Sequence, residues 1–591
     1  MKRHLLFTVF MTIFISCITA QHKRFDDFFD SSHFKPVKLS SATLSPQRIV
    51  WVSTTDKNTI SAPDNLLKPF DGQLATNTTD FCTFFKQEDT DTAAVILDFG
   101  REIYGNIRIF APIRSDKKTV RIRVRLGESV SETMSETGGT TADSSATNDH
   151  SLRDYILEIP WLGSIETGQS GFRFVRIDLL DKGVKLPLKT VQAICRYRDI
   201  PYLGSFHCND ERLNRIWETG AYTVHLNMQE YLWDGIKRDR LVWLGDMHPE
   251  VMTITSVFGN NEVITKSLDF ARDNTPLPGW MNDMCAYSLW WLIIHRDLYL
   301  YSGNYEYLKK QHTYISGLLR QIISHIHNGK EALPTGRFLD WPTARNPNVI
   351  HSGLQSLSLI SMRAGEQLAI WLEDKKLQKE CSDCALNLEK NIPELHDNKQ
   401  AAALSVLAGY GNVEETALAV IARDGAERFA TFYGYYMLEA LAAGNCYEQA
   451  LKIISDYWGA MLDLGATTFW EDLDYSDALK AARIDEVIPA GKYDIHAKGG
   501  DHCYKGFRHS FCHGWASGPT AWMSRYVLGA IPIEPGCKTV RISPHLGNLD
   551  WVEGTVPTPL GIIKISHKKS SSGKITSRVE APEGIRVILK K

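Results

Sequence analysis

The spacing of apolar residues changes twice along this chain, and no single layer of structure satisfies both spacings. From about residue 25 to 200, runs such as AAVILDFG, NIRIFAPI, VRIRVRLGE and FRFVRIDLL alternate polar and apolar positions between frequent turn residues. That period of two predicts a β-sandwich of jelly-roll type. Around 205 the period lengthens. In DERLNRIWETGAYTVHLNMQEYLWDG, the residues Ile216, Trp217, Ala221, Val224 and Met228 recur every three to four positions, which predicts a helix ending near Gly235. Helical patterns then follow one another, about ten to twelve in all, joined by loops carrying Asp, Trp and Gly. Their number and connection predict a closed helical barrel with its loops forming one concave face. No strand–helix alternation suggests a TIM barrel or a Rossmann fold. After 530 the strand period returns in KTVRISPHL and LGIIKISHK. At 591 residues the chain is too long for one core. The expected division is therefore a leader over 1–20, a β-sandwich over 21–203, a helical barrel over 204–529 and a small β domain over 530–591.

The net charge of -3 gives no reason to expect nucleic acid or an anionic membrane as partner. Residues 1–20 read as an export signal. Lys2, Arg3 and His4 precede an apolar stretch from Leu5 to Ile18, and Ile18-Thr19-Ala20 offers a cleavage site. Simple secretion, most naturally to a periplasm, is the expectation, with a lipid anchor on Cys17 as the alternative. No later stretch approaches the ~20 apolar residues of a membrane span. Cys381 and Cys384 have the spacing of a redox pair, but they lie in a helical run without strands around it, so they read as structural thiols. Nothing in the sequence fixes an oligomeric state.

The densest chemistry lies in WDGIKRDRLVWLGD, residues 233–246. Asp234, Asp239 and Asp246 are interleaved there with Arg238, Arg240, Trp233 and Trp243. Glycosidic hydrolysis needs a protonated carboxylic acid at the leaving oxygen and a second carboxylate across the sugar ring. Neighbouring carboxylates and an aromatic wall can supply the raised proton affinity of the acid. A charged loop with internal Arg–Asp pairs is the plain alternative. Two further loops repeat the pairing of carboxylate and indole: GATTFWEDLDY with Trp470 and Glu471, and GRFLDWPTARNP with Asp340 and Trp341. Each alone could be a capping Asp beside a packed Trp. Recurrence on several helix-joining loops favours one site.

Asp234, Arg238, Asp239, Arg240, Trp243, Gly245 and Asp246 resemble the signature of the bacterial α-L-rhamnosidases of glycoside hydrolase family 78. GATTFWE is similar to a later motif of that family and SFCHGWASG to the one after it. MNDMCAYSLWW and FLDW fit intermediate motifs. LDFGREIYGNIRI resembles the leading β domain and WVEGTVPTPLGIIKIS the closing one. The resemblance covers nearly the whole chain beyond the leader, in order. It implies an (α/α)6 helical barrel flanked by an N-terminal β-sandwich and a small C-terminal β domain. It also implies hydrolysis of terminal α-L-rhamnosides with inversion, no cofactor and no metal, on a rhamnose-containing glycan of plant or algal origin. Carried over by position, Asp239 is the general acid and Glu471 the general base. Asp234, Arg238, Asp246, Asp283 and Asp340 would bind sugar hydroxyls, with Trp243, Trp341 and Trp470 as apolar walls and His513 beside the base.

The sequence departs from the family at informative places. Asp239 stands where the family usually has Glu, one methylene longer. Gly235-Ile236 replaces the usual Cys-Pro. The stretch AGKYDIHAKGGDHCYKGFRHS between Glu471 and His513 is longer than expected. Its His496, His502, Cys503, His509 and Cys512, with His513, fit no zinc spacing. Lys505 and Arg508 suggest a rim loop that reads an acidic neighbouring sugar such as a uronate. The rival readings are a glycosidase for a different terminal sugar on the same barrel, and a carbohydrate-binding protein without turnover.

Overall fold

The computed structural model describes residues 39–53, 59–74, 80–136, 153–334, 336–500 and 505–590. The leader, Cys17, His502 and Cys503 lie outside these residues. Among the described residues the architecture is that of the sequence reading: an N-terminal β-sandwich, an (α/α)6 helical barrel and a small C-terminal β domain.

The N-terminal part is built on one long strand, Ala94–Ala111, which pairs with Thr190–Tyr197 on one side and Ser170–Leu179 on the other. Alternation decides its packing. Val95, Leu97 and Phe99 face one buried cluster, while Ile96 faces another with Val130 and Phe174. A three-stranded sheet, Val184–Leu188, Cys82–Lys86 and Ile60–Ser61, covers the first cluster through Leu186, Leu188, Cys82 and Phe84.

The helices follow one rule. Inner helices such as Met247–Val257 and Thr431–Ala443 are buried almost all round, whereas Glu262–Asp273, Tyr305–Ser324 and Lys375–Leu388 bury one stripe. The amphipathic ones open on Asn or Asp caps: Asn261, Asn304 and Asp374 each accept a backbone N–H of the first turn. Six inner segments, Met247–Val257, Cys285–Ser302, Pro347–Trp371, Lys399–Leu407, Thr431–Ala443 and Gly518–Trp522, each pack on the next, and the last packs on the first. That closed ring is the barrel.

Two details differ from the sequence reading. The helix expected to reach Gly235 spans Glu211–Asn227. The Asn227 side chain turns back to the Thr223 carbonyl (3.0 Å), and its own carbonyl accepts the N–H of Trp233 (3.0 Å), so the chain leaves the helix eight residues early and forms a loop. The strand Ser205–Cys208, just before the helix Glu211–Asn227, pairs with Trp551–Thr558 in the C-terminal sheet. No helix among the described residues is long and apolar enough to cross a membrane. Cys381 and Cys384 are both buried free thiols, and burial pushes them up to about 12 and about 11, so neither offers a reactive thiolate.

Candidate active site

The acid-bearing loop closes on itself. Asp234 N–H donates to the Leu241 carbonyl (3.1 Å), and Leu241 N–H donates back to Asp234 Oδ1 (3.0 Å). At its tip Asp239 and Arg240 both adopt left-handed backbone, φ 54° and 52°. Two consecutive non-glycine residues there store strain, which a fixed surround must hold. Asn282 supplies part of it, accepting from Leu244 N–H (3.0 Å) and donating to the Val242 carbonyl (3.1 Å). Gly245 supplies another part: a Cβ there would meet the Tyr287 ring at 2.2 Å. Asp246 precedes the helix Met247–Val257 without capping it by its side chain.

The base-bearing loop is closed by a second segment. Glu471 N–H donates to the Ser510 carbonyl (2.9 Å), and Ser510 N–H donates to Glu471 Oε2 (3.1 Å). His513 N–H reaches the Phe469 carbonyl (3.0 Å), and Thr468 Oγ1 donates to the Phe511 carbonyl (2.7 Å). The Glu471 carbonyl accepts from Trp515 Nε1 (2.9 Å) and from the Thr431 hydroxyl. The same second segment also grips the acid loop, since Gly235 and His513 form a β-bridge and Gly514 N–H donates to the Asp234 carbonyl (2.7 Å).

One guanidinium joins the two loops. Arg238 Nη1 donates to Asp239 Oδ1 (2.9 Å), Nη2 to Glu471 Oε1, and Nε to the Arg508 carbonyl (3.0 Å). Trp243 Nε1 donates to Asp239 Oδ2 (3.1 Å). His513 Nε2 lies 3.7 Å from Asp234 Oδ2, 3.7 Å from Glu471 Oε1 and 3.9 Å from Asp246 Oδ2. Burial holds His513 well below its ordinary range, so the ring is neutral. Burial, reinforced by the neighbouring carboxylates, raises Asp234 and Asp246 well above theirs. The shift favours their protonated forms, which can donate as well as accept.

The other sequence candidates occupy distinct places. Asp340 is buried, accepting from the Thr343 hydroxyl (2.6 Å) and from Gln400 Nε2 (3.0 Å). Trp341 is half-buried and ends an aromatic row through Phe338 and Tyr287 to Trp243, with ring centroids 5.2, 6.5 and 6.4 Å apart. Trp470 has no exposed surface and stacks on Phe511 at 4.0 Å, so it braces the base loop from behind instead of facing a ligand. Asp283 is exposed, at φ 59°, beside the Asn282 that holds the acid loop.

Several residues, or their roles, escaped the sequence reading. Lys237, inside the opening motif, has no exposed surface. Glu250 is buried with neither carboxyl oxygen partnered among the described residues. Its oxygen sits where a Cβ on Gly514 would be, at 1.7 Å, and burial raises its carboxyl well above the usual range. Asp472, next to the base, is pushed up to about 7, chiefly by burial. Glu128, Glu132 and His496 bring three ligand-type atoms together as a metal site would. The Lys237 ammonium stands among them, 3.0, 3.3 and 3.3 Å away, and supplies the positive charge itself. The Ser129-x-x-Glu132 capping pattern was a visible signal for part of this cluster.

Comparison with known proteins bears on this geometry. Residues 201–360 match the model of the bacterial α-L-rhamnosidase six-hairpin glycosidase domain, and residues 529–590 match that of the bacterial α-L-rhamnosidase C-terminal domain. Both matched stretches, together 222 of the 591 residues, are thus similar to bacterial α-L-rhamnosidase domains. An α-L-rhamnosidase of Alteromonas sp. (strain LOR) is 25% identical over 566 residues, covering 87% of this chain. The chain spans 57% of that relative's length. Among solved structures, a glycoside hydrolase family 78 rhamnosidase of Bacillus sp. GL1 superposes with TM-score 0.69 at 21% identity, over 89% of this chain and 55% of its own. A rhamnosidase of Klebsiella oxytoca with rhamnose bound gives TM-score 0.61 at 16% identity, over 82% and 96%. At such identities the two superpositions establish the rhamnosidase fold.

Proposed function

We propose that this chain removes terminal α-L-rhamnose from a plant or algal glycan, with inversion at the anomeric carbon. Asp239 gives its proton to the glycosidic oxygen as the C1–O bond breaks. Glu471 takes a proton from the water that attacks the opposite face. Asp234, Asp246 and His513 hold the sugar hydroxyls, and Trp243 forms an apolar wall. The observation that carries this reading is the placement of Asp239 and Glu471 on two nitrogens of the one Arg238 guanidinium, from loops far apart in sequence. Inversion is carried by the family resemblance, and it requires the two carboxyls ~6.5–9.5 Å apart in the working complex, against the ~5–5.5 Å of a retaining pair. Burial that favours the protonated forms of Asp234 and Asp246 suits an uncharged polyol, whose hydroxyls need both donors and acceptors.

The test is incubation with 4-nitrophenyl α-L-rhamnoside while proton NMR follows the sugar released. β-L-rhamnose should appear first. Initial α-L-rhamnose would mean retention and would overturn the assignment of Glu471 as base. Release from other terminal-sugar glycosides but not from this one would overturn the substrate, and sugar binding without any release would favour a binding protein.

A further inference from the structure

The acid and base loops share a support that neither provides. Lys237 lies two residues before Asp239, and its ammonium is enclosed by five groups from two other parts of the chain. Glu128 Oε2 (3.0 Å) and Glu132 Oε1 (3.3 Å) come from the N-terminal sheet domain. The carbonyls of Phe507 (2.9 Å) and His509 (2.6 Å) come from the long stretch between Glu471 and His513, as does His496 Nε2 at 3.3 Å. All three side chains around the ammonium are buried. Glu128 Oε2 also accepts the N–H of Phe511 (2.6 Å), the residue after the Ser510 that pairs twice with Glu471. Ser129 Oγ lies 2.7 Å from His496 Nδ1, and Glu132 Oε2 accepts Glu128 N–H (2.8 Å), so the cage is itself tied down. On the acid side, Gly171 N–H of the same sheet donates to the Ile236 carbonyl (3.1 Å).

We propose that Lys237, with Glu128 and Glu132, is a positioning group that sets the placement of Asp239 relative to Glu471. The N-terminal β domain is then a working part of the site and not a cover for the barrel. A buried ammonium needs counter-charge and full hydrogen bonding, and here both arrive from segments that also touch the two loops. Removing the lysine would take from Glu128 its ion pair and leave Glu132 to Arg153 alone (3.1 Å), with nothing holding the Phe507–His509 carbonyls against the acid loop. The adjoining Arg508 carbonyl, which anchors Arg238 Nε, would shift with them. The long stretch unexplained by the family pattern thereby acquires a role: its backbone oxygens cap the cations at 237 and 238. This inference rests on the assignment of Asp239 and Glu471 as acid and base.

The test compares wild type with Lys237→Met and with the charge-balanced double variant Lys237→Met/Glu128→Gln, which leaves Glu132 on Arg153 (3.1 Å). The double variant guards against simple misfolding, because removing both members of a buried pair is tolerated far better than removing one. The double variant should fold with an unchanged circular dichroism spectrum and lose kcat about 100-fold, the scale of a 1 Å misplacement, while KM moves less than about threefold. A folded double variant with wild-type kcat would overturn the proposal, and so would a loss that falls in KM alone. If wild type cleaves no rhamnoside, the functional reading fails and hydrogen exchange decides the positioning claim on its own. Amides of Leu241, Ser510 and His513 should then exchange faster together in the variant, with those of the helix Cys285–Ser302 unchanged. Unchanged exchange at the three amides, or faster exchange throughout, would refute it.

Discussion

Asp239 stands on a loop that closes on itself within eight residues, whereas Glu471 stands on one whose partner strand arrives thirty-nine residues later. The first pays its conformational cost locally, in two left-handed residues, and relies on small contacts such as Gly245 against Tyr287. The second has ordinary backbone at the carboxylate and depends on a ladder with 509–513 and on the domain behind it. The contrast teaches that chemical equivalence of an acid and a base does not require equivalent support. The acid loop is stiff and vulnerable to single contacts; the base loop is vulnerable to anything that displaces a distant segment.

The largest expected effect erases the chemistry on either side of that contrast. Asp239→Asn and Glu471→Gln should each lower kcat on an α-L-rhamnoside by ~10²–10⁴-fold, the range of a lost general acid or base, with the fold retained. If only one of them mattered, the pairing of the two loops would be wrong. Next comes the group that joins them. Arg238→Met leaves two carboxylates without their shared cation, and breaking a buried pair this way costs ~3–5 kcal/mol of stability. A urea midpoint within error of wild type would show that the guanidinium is not the link.

A third prediction separates the loops by pH. Burial holds the Asp472 carboxyl up at about 7, above the ~3.9 of a free Asp. The folded state then binds more protons than the unfolded one between these values, so this group makes stability fall as pH rises from ~4 to about 7, with no further loss above. Asp472→Asn should remove that slope, so the variant gains on wild type in urea midpoint between pH 4 and pH 7.5. A constant offset at both pH values would contradict it. The smallest effect is expected at the exposed Asp283. Asp283→Gly keeps the left-handed backbone comfortable and should change stability by no more than ~0.5 kcal/mol, with kcat/KM within about twofold. A large rise in KM would place this residue on the sugar after all.

The sequence made the acid loop legible because its meaning is local: three carboxylates, two arginines and two indoles within fourteen residues can be read without knowing the fold. The three-part architecture was legible for a similar reason, since period two and period 3.6 are properties of short windows. What stayed hidden was non-local. The helix before the acid loop looked apolar-periodic through Met228, and only the Asn227 side chain reaching back to Thr223 ends it there. Trp470 looked like a sugar platform beside Glu471, but Phe511 claims its face. Lys237 read as one more charge in a charged run, because Glu128 and His496, which give it meaning, are 109 residues before it and 259 after it.

That wide separation has a consequence in time. A chain made from its N-terminus produces Glu128, Glu132, Lys237 and Asp239 well before Glu471, and Glu471 before the 507–513 segment that closes both loops. Until that last segment is present, a lysine and two glutamates destined for a dry interior must remain in water, and the acid has no base opposite it. Assembly of the site is therefore a late, long-range step, of the kind that sets the pace of folding for topologies rich in distant contacts. A truncation before residue 507 would leave most barrel helices present and the reaction centre unformed.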